Sequence, residues 1–306
     1  MSVERVHSRT HEVTIQAPAG VVYALLTDSP SWPLHLQSAV HVEQLEFDGR
    51  RERTRVWSTA NGRADSFTSL RTLAPELRQV EFRQEQPTAP EHPVSGVWSV
   101  VPLAAQRSRL ELRYHFTTSA GDPAAVLESL RTAAELWPRL DELALSFDDS
   151  VRIEGPAEPV YDFLYRVQDW PGRVPGVIRA DVVEDEPGVQ AVTMDTTQPD
   201  GSVRTTRSLR ICFPHAGLIV SKQLTASGLM SAHTGEWSLI PDERGVTVSA
   251  HQDAVLCRET IEQARKEGTD TAGARRHARE TLGRGGARVL ALALAKKHTQ
   301  CAVRVL

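Results

Sequence analysis

A single pattern is written twice in this chain, and that duplication limits the possible folds more than any local motif does. Pro18-Ala19 returns as Pro156-Ala157, Tyr23 as Tyr161 and Trp32-Pro33 as Trp170-Pro171, each 138 residues later. After a slip of one residue, Ser69-Leu70-Arg71 returns as Ser208-Leu209-Arg210, and Gly96-x-Trp98-Ser99-x-x-Pro102 as Gly235-x-Trp237-Ser238-x-x-Pro241, 139 residues on. Solenoid units are only about 20–50 residues long, so a period this large means two copies of a whole domain. The 306 residues, 40% hydrophobic and 24% charged, suffice for two packed cores. The seam is expected between Ser146 and Val151, giving domains over residues 1–147 and 148–306.

Within each copy the signals run in the same order. Val13-Thr14-Ile15 and Val151-Arg152-Ile153 read as short strands. Pro18 to Thr27 and Pro156 to Val167 carry apolar residues at helical spacing behind a proline start. Trp-Pro then ends the helical stretch, because the residue before a proline is pushed out of the α region. From Ala39 to Thr118 and from Ile178 to Leu256 apolar and polar residues alternate between turn signals such as Asn61-Gly62 and Asp200-Gly201, the mark of an antiparallel meander. Each copy closes with a helix, Pro123 to Leu145 in the first and Arg258 to Lys297 in the second. The fold class is therefore α+β. A curved sheet cannot hide its apolar face alone, and a long helix laid across it leaves an interior pocket.

On a strand, residues two apart face the same way. Phe67, Ser69 and Arg71 share one face, and Thr206, Ser208 and Arg210 share the matching one. Pointing inward, each arginine offers a guanidinium suited to a developing enolate oxygen, with a hydroxyl beside it. The alternative is that Leu70 and Leu209 face the core and the arginines sit in water, as most do. His251, sharing a face with Thr247, Ser249 and Asp253, is the candidate for proton transfer near neutrality, and Tyr114 and His115 lie on the corresponding strand of the first copy. Trp98 and Trp237 read as core, and Trp32 and Trp170 as an entrance lining. His35, His92, His215 and His233 fall in expected loops or element ends, and Lys222 reads as a solvated strand-end lysine.

Other classes are disfavoured. A net charge of −4 with interspersed signs argues against nucleic acid as partner. Cys212, Cys257 and Cys301 are odd in number and widely spaced, which suits a reduced cytoplasm and gives no metal-ligand spacing. The longest apolar run, Val289 to Ala295, is too short to cross a bilayer, and the first residues lack the apolar stretch of a signal peptide. No nucleophile elbow, phosphate loop or dinucleotide fingerprint appears. Gly283-Arg284-Gly285-Gly286 is expected to loosen the last helix into a mobile lid.

The ordered series of Pro-Ala, Trp-Pro, Asn-Gly or Asp-Gly, Ser-x-Arg and Gly-x-Trp, met twice, resembles the polyketide aromatase/cyclases of bacterial type II aromatic polyketide synthesis, in their di-domain form. The resemblance implies two tandem helix-grip (START/Bet v 1-like) domains. It carries Arg71, Arg210, Ser69, Ser208 and His251 as catalytic residues, and Trp32, Phe67, Trp98, Tyr114, Trp170, Thr206 and Trp237 as substrate-binding ones. A tyrosine that some single-domain members place after Trp-Pro is replaced by Ala39 and Val177, and the aromatic before the serine is Phe67 in one copy and Thr206 in the other. The two pockets are therefore expected to do different work.

The implied reaction needs no cofactor. A poly-β-ketone on an acyl carrier protein, among other components of the synthase, is folded so that an enolate attacks one carbonyl, and loss of water makes the first ring aromatic. Pocket shape sets which ring forms, because proximity and orientation supply much of the acceleration. The second copy, with Arg210 and His251, is expected to be the more active. The competing readings are a carrier for a hydrophobic small molecule and a scaffold for other synthase components.

Overall fold

The computed structural model describes residues 7–60, 63–86, 94–116, 123–198, 200–225, 230–259, 261–262, 270–283, 286 and 289. The chain divides into two compact units, Met1–Leu140 and Asp141–Leu306. The first contains β1 (His7–Ile15), α1 (Ala19–Thr27), α2 (Trp32–His35), β2 (Ala39–Phe47), β3 (Arg51–Ala60), β4 (Arg63–Ala74), β5 (Gln79–Gln86), β6 (Ser95–Ala104), β7 (Arg107–Phe116) and α3 (Ala124–Leu136). Its strands form one antiparallel sheet of seven in the order β1-β7-β6-β5-β4-β3-β2. The division falls in α4 (Leu140–Leu143), and the second unit runs on through β8 (Ala144–Glu154), α5 (Glu158–Tyr165), β9 (Val177–Glu186), β10 (Val189–Thr197), β11 (Val203–Phe213), β12 (Leu218–Gln223), β13 (Met230–Asp242) and β14 (Gly245–Leu256). Its sheet of seven repeats the order, β8-β14-β13-β12-β11-β10-β9. Residues 271–283 are helical, as are 286 and 289.

Period-two alternation makes one face of each sheet apolar. In β7, Ser108, Leu110, Leu112, Tyr114 and Phe116 are buried, and α3 lays Leu127 and Leu130 against that core. In the second unit Ile153, Leu164, Ile219, Val246 and Val248 form the counterpart. Each buried Val, Leu, Ile or Phe contributes about 1.5–3 kcal/mol by leaving water, which is why the helix covers this face.

Three expectations change. The helix expected from Pro123 to Leu145 ends at Leu136, because Pro138 has no N–H to continue the ladder. Ala144–Glu154 then pairs with β14 along almost its whole length, so this strand runs through the expected seam at 147/148. Trp-Pro does not end the helical stretch in the first copy: Pro33 sits in the first turn of α2, where its missing N–H is harmless. Both tryptophans keep helical dihedrals and anchor the preceding helix, Trp32 Nε1 donating to Leu25 O at 3.2 Å and Trp170 Nε1 to Phe163 O at 2.9 Å. In the last helix a Cβ on Gly283 would crowd Arg279 Nη1 and Asp149 Oδ2, each at 3.3 Å, whereas one on Gly286 would make an ordinary contact, 3.8 Å from Ala250 Cβ. Arg284 and Gly285, like Asn61-Gly62 and His92, lie outside the described residues.

One turn separates the copies. After Pro214–Ala216 the second unit places Gly217 at φ 60°, where glycine is free of strain, whereas the first places Arg78 at φ 49° after Pro75–Leu77. It is the one non-glycine residue with positive φ among those described.

Candidate active site

Strand register lines up five residues across each sheet. In the second unit Gln190 opposes Arg210, Arg210 opposes Ser221, Ser221 opposes Gly235, and Gly235 opposes Gln252. In the first the same row reads Glu52, Arg71, Phe82, Gly96 and Tyr114. Only the arginine and the glycine are shared. Both arginines are buried, Arg71 at 3% and Arg210 at 5% exposure, so the inward reading of Ser-x-Arg holds in both units.

Their partners differ. Arg71 is locked in an ion pair with Glu52 through Nη1, gives Nη2 to Leu26 O at 2.5 Å and stacks 4.6 Å from the Trp32 ring centroid. Glu52, 1% exposed, also accepts from Ser29 Oγ and, at 2.9 Å, from Gln44 Nε2. Arg210 meets only neutral acceptors. Nη1 donates to Gln190 Oε1 at 2.7 Å and to Tyr165 O at 3.2 Å, and Nη2 to Leu164 O at 2.6 Å. Of five guanidinium N–H groups, three are thus used, leaving Nε–H and one Nη2–H without a partner among the described residues. Gln190 passes its own Nε2 to Glu184 Oε2 at 2.9 Å, and Glu184 takes the Tyr165 hydroxyl and Gly188 N.

A cavity of about 690 Å³ opens against this row in the second unit, within the range typical of small-molecule sites. Arg210, Ser208, Ser221, Gln223, His233 and Gln252 give it a polar floor, and Trp170, Trp237, Val192 and Val289 give it apolar walls. His233 shares a 2.7 Å hydrogen bond with Gln252 Oε1. Burial pushes its imidazole below the ordinary value, the Gln252 bond and the Asp253 charge opposing only in part, so it is neutral at pH 7. Gln223 Oε1 is buried and has no hydrogen-bond partner among the described residues. At Gly235 a Cβ would crowd this floor, 3.1 Å from both Gln252 Nε2 and Ser221 Oγ. At Gly96 the added Cβ would instead strike backbone, 2.9 Å from Tyr114 Cα. Cys212 faces inward near Arg210, but burial raises its thiol to about 11 and keeps it protonated.

Two family models match, both described as polyketide cyclase / dehydrase and lipid transport, over residues 6–140 and 153–271. The chain is 35% identical to the granaticin polyketide synthase bifunctional cyclase/dehydratase of Streptomyces violaceoruber, covering 91% of this chain and 90% of that protein. It is 33% identical to the actinorhodin polyketide synthase bifunctional cyclase/dehydratase of Streptomyces coelicolor, covering 90% and 92%. This chain belongs to the polyketide cyclase/dehydrase and lipid transport family. Among solved structures it resembles the di-domain aromatase/cyclase BexL of the BE-7585A pathway, with 34% identity, TM-score 0.83, and coverage of 94% of this chain and 98% of that one. The steffimycin-pathway di-domain aromatase/cyclase StfQ gives 26% identity, TM-score 0.84, and coverage of 96% and 99%. Tandem helix-grip domains, and a cyclase/dehydratase of polyketide synthesis, are thus the reading in which fold and relatives agree.

Within this polyketide cyclase the sequence-derived residues fall in two groups. Ser208, Arg210, Trp170 and Trp237 come together on the cavity, with Thr206 next along the same face of β11, its hydroxyl on Met194 O at 3.3 Å. In the first unit Ser69 is buried with its hydroxyl 3.5 Å from Arg83 O, Phe67 is half-buried on the same strand face, and Trp32, Trp98 and Tyr114 pack into the cores. Tyr114 is 3% exposed, and its hydroxyl has no hydrogen-bond partner among the described residues.

His251 is not brought to the cavity. Gln252 faces inward, so the residue before it faces outward, where its ring bonds Asp148 of the neighbouring β8 at 2.9 Å and Asp253 of its own strand at 3.0 Å. Partial burial works against its charge, but the two carboxylates win and raise its pKa. The register makes Gln252, not His251, the counterpart of Tyr114. Lys222 is not solvated either. It is 5% exposed, and burial lowers it to about 8, on the face of β12 opposite Ser221 and Gln223.

Residue-type reasoning missed Gln190, Ser221, Gln223, His233 and Gln252. Their signal lay in the alternation: with Arg210 taken as inward, Ser221 and Gln252 follow from strand pairing. His233 was hidden because β13 begins earlier than the turn pattern suggested.

Proposed function

We propose that this chain directs regiospecific first-ring aldol cyclisation and dehydration of a poly-β-ketone delivered on an acyl carrier protein, and that the reaction takes place in the cavity of the second unit. The observation that carries this reading is Arg210: a buried guanidinium on a cavity wall, held by neutral acceptors, with two N–H groups to spare. Such a group stabilises an oxyanion far better than water does, because its donors are aligned before the charge develops.

In this reading a methylene between two carbonyls loses a proton, and the electron pair forms an enolate whose oxygen faces Arg210. With Nε2–H of His233 donating to Gln252 Oε1, Nδ1 keeps a lone pair and takes that proton. The enolate carbon then attacks a second carbonyl of the same chain, the new alkoxide recovers the proton, and the hydroxyl leaves as water with the next α-hydrogen. Ser208 orients the chain beside Arg210, and Gln223 Oε1 accepts an enol or hydroxyl O–H. Trp170 and Trp237 limit how the chain can bend, which selects the ring. Arg71, paired with Glu52, and Ser69, bonded to the backbone, support the first unit rather than this step. His251 ties β8 to β14.

The test is a reconstituted minimal polyketide synthase with and without the protein, its products separated by liquid chromatography and identified by mass. Wild type is expected to replace the spontaneous mixture with one dominant, dehydrated product. Folded Arg210→Met is expected to lose this at least a hundredfold, in line with removal of an oxyanion donor. Normal cyclisation by that variant overturns the assignment. An unchanged mixture with wild type favours a carrier of hydrophobic molecules.

A further inference from the structure

The hydrogen-bond chain around each arginine has the same length but the opposite chemical order. In the first unit it runs from Gln44 to the carboxylate of Glu52 to Arg71. In the second it runs from the carboxylate of Glu184 to the amide of Gln190 to Arg210. The amide orientation of Gln190 needs no choice, because arginine can only donate to it and a carboxylate can only accept from it. The exchange therefore moves one negative charge from direct contact with the guanidinium to one residue farther away, on the exposed strand β9. Ser29, the additional donor to Glu52, has the apolar Val167 at the matching position.

Charge position matters because interior interactions are poorly screened. Arg71 and Glu52, both nearly inaccessible, cancel where they meet. Arg210 has only dipoles in contact, so its positive field extends into the cavity that it lines. We propose that Gln190 is the positioning residue that makes the second interior an anion-accepting site, for enolate, phenolate or carboxylate oxygens, and that Glu52 closes the first interior to anions. This deepens the reading above and rests on Arg210 facing a ligand oxygen.

The decisive variant is the double exchange Gln190→Glu with Glu184→Gln, which copies the first unit's order and leaves total charge unchanged. Binding of 2-naphthoate and of its neutral isostere 2-naphthamide to the full chain is measured by titration calorimetry. Wild type is expected to prefer naphthoate at least tenfold. The double exchange is expected to remove that preference with naphthamide affinity held within about twofold. Gln190→Met, which removes the amide without adding charge, is expected to keep it. No preference in wild type overturns the proposal, as does a preference that survives the double exchange. Equal loss in Gln190→Met overturns it too, since that result marks a packing role alone. The same variants in the polyketide assay separate the two readings. If the double exchange erases naphthoate preference while ring formation continues, the charge assignment stands and the oxyanion step falls. If preference survives while Arg210→Met abolishes ring formation, the reverse holds.

Discussion

The first unit spells its central row Glu52, Arg71, Phe82, Gly96, Tyr114, and the second spells it Gln190, Arg210, Ser221, Gly235, Gln252. On the same backbone, the first row neutralises its cation and carries two aromatic rings, while the second leaves the cation unneutralised and sets short polar groups on a cavity floor. Of this interior row the two copies share the arginine and the glycine, and differ at the three other positions. Gly96 is needed because backbone from β7 passes where a Cβ would be, whereas a Cβ at Gly235 would only crowd the ends of the Ser221 and Gln252 side chains, at 3.1 Å. A shared motif thus sits in two different electrostatic settings.

The comparison can be broken most sharply at the arginines. Arg71→Met leaves Glu52 buried without its counter-charge, and loss of one partner of a buried pair costs about 3–5 kcal/mol. Arg210→Met strands no charge. Urea titration followed by tryptophan fluorescence is therefore expected to show a large loss for the first variant and a clearly smaller one for the second. Equal losses would mean that the two clusters are energetically alike.

A next test concerns proton handling. His233→Asn is expected to lower kcat/KM about a hundredfold, the usual scale of a positioned base. Because burial holds the wild-type imidazole below its ordinary value, the base stays unprotonated as pH falls through about 6.5, and the acid limb of the profile lies below that point. A limb at or above 6.5 would move the role to another group.

Converting the second row toward the first, by Ser221→Phe with Gln252→Tyr, is expected to fill the cavity floor. The fold should be kept, as judged by circular dichroism, while selectivity for the dominant product falls about tenfold, the low end of what a small change in pocket shape is worth in discrimination. Retained selectivity would sever the link between the polar floor and ring choice. The smallest effect belongs to the turns. Arg78→Gly copies Gly217, relieves a left-handed residue and is expected to stabilise the chain by up to about 1 kcal/mol in the same urea titration; destabilisation would show that the Arg78 side chain earns its strain through contacts.

Much of this was legible beforehand for physical reasons. Ser69, Arg71, Ser208 and Arg210 were found because strand alternation is local, and a matched Ser-x-Arg on two strands marks a face that is kept. His251 failed for the same reason turned around. Its face was correctly read as shared with Thr247, Ser249 and Asp253, but nothing in that face says whether it points in or out. The choice is made by Gln252 and by the neighbouring β8, whose Asp148 captures the imidazole.

The amino-acid order by itself determined the duplication, the α+β class, the meander in each half and the pairing of serine with arginine, because these depend on periodicity and on short-range backbone chemistry. Only the tertiary structure decided that Arg71 ends in the carboxylate of Glu52 while Arg210 ends in the amide of Gln190. It also decided that His233 rather than His251 reaches the cavity. Those outcomes depend on register between strands and on which side of a sheet the helices cover, and a one-residue change in register moves every side chain of a strand to the opposite face.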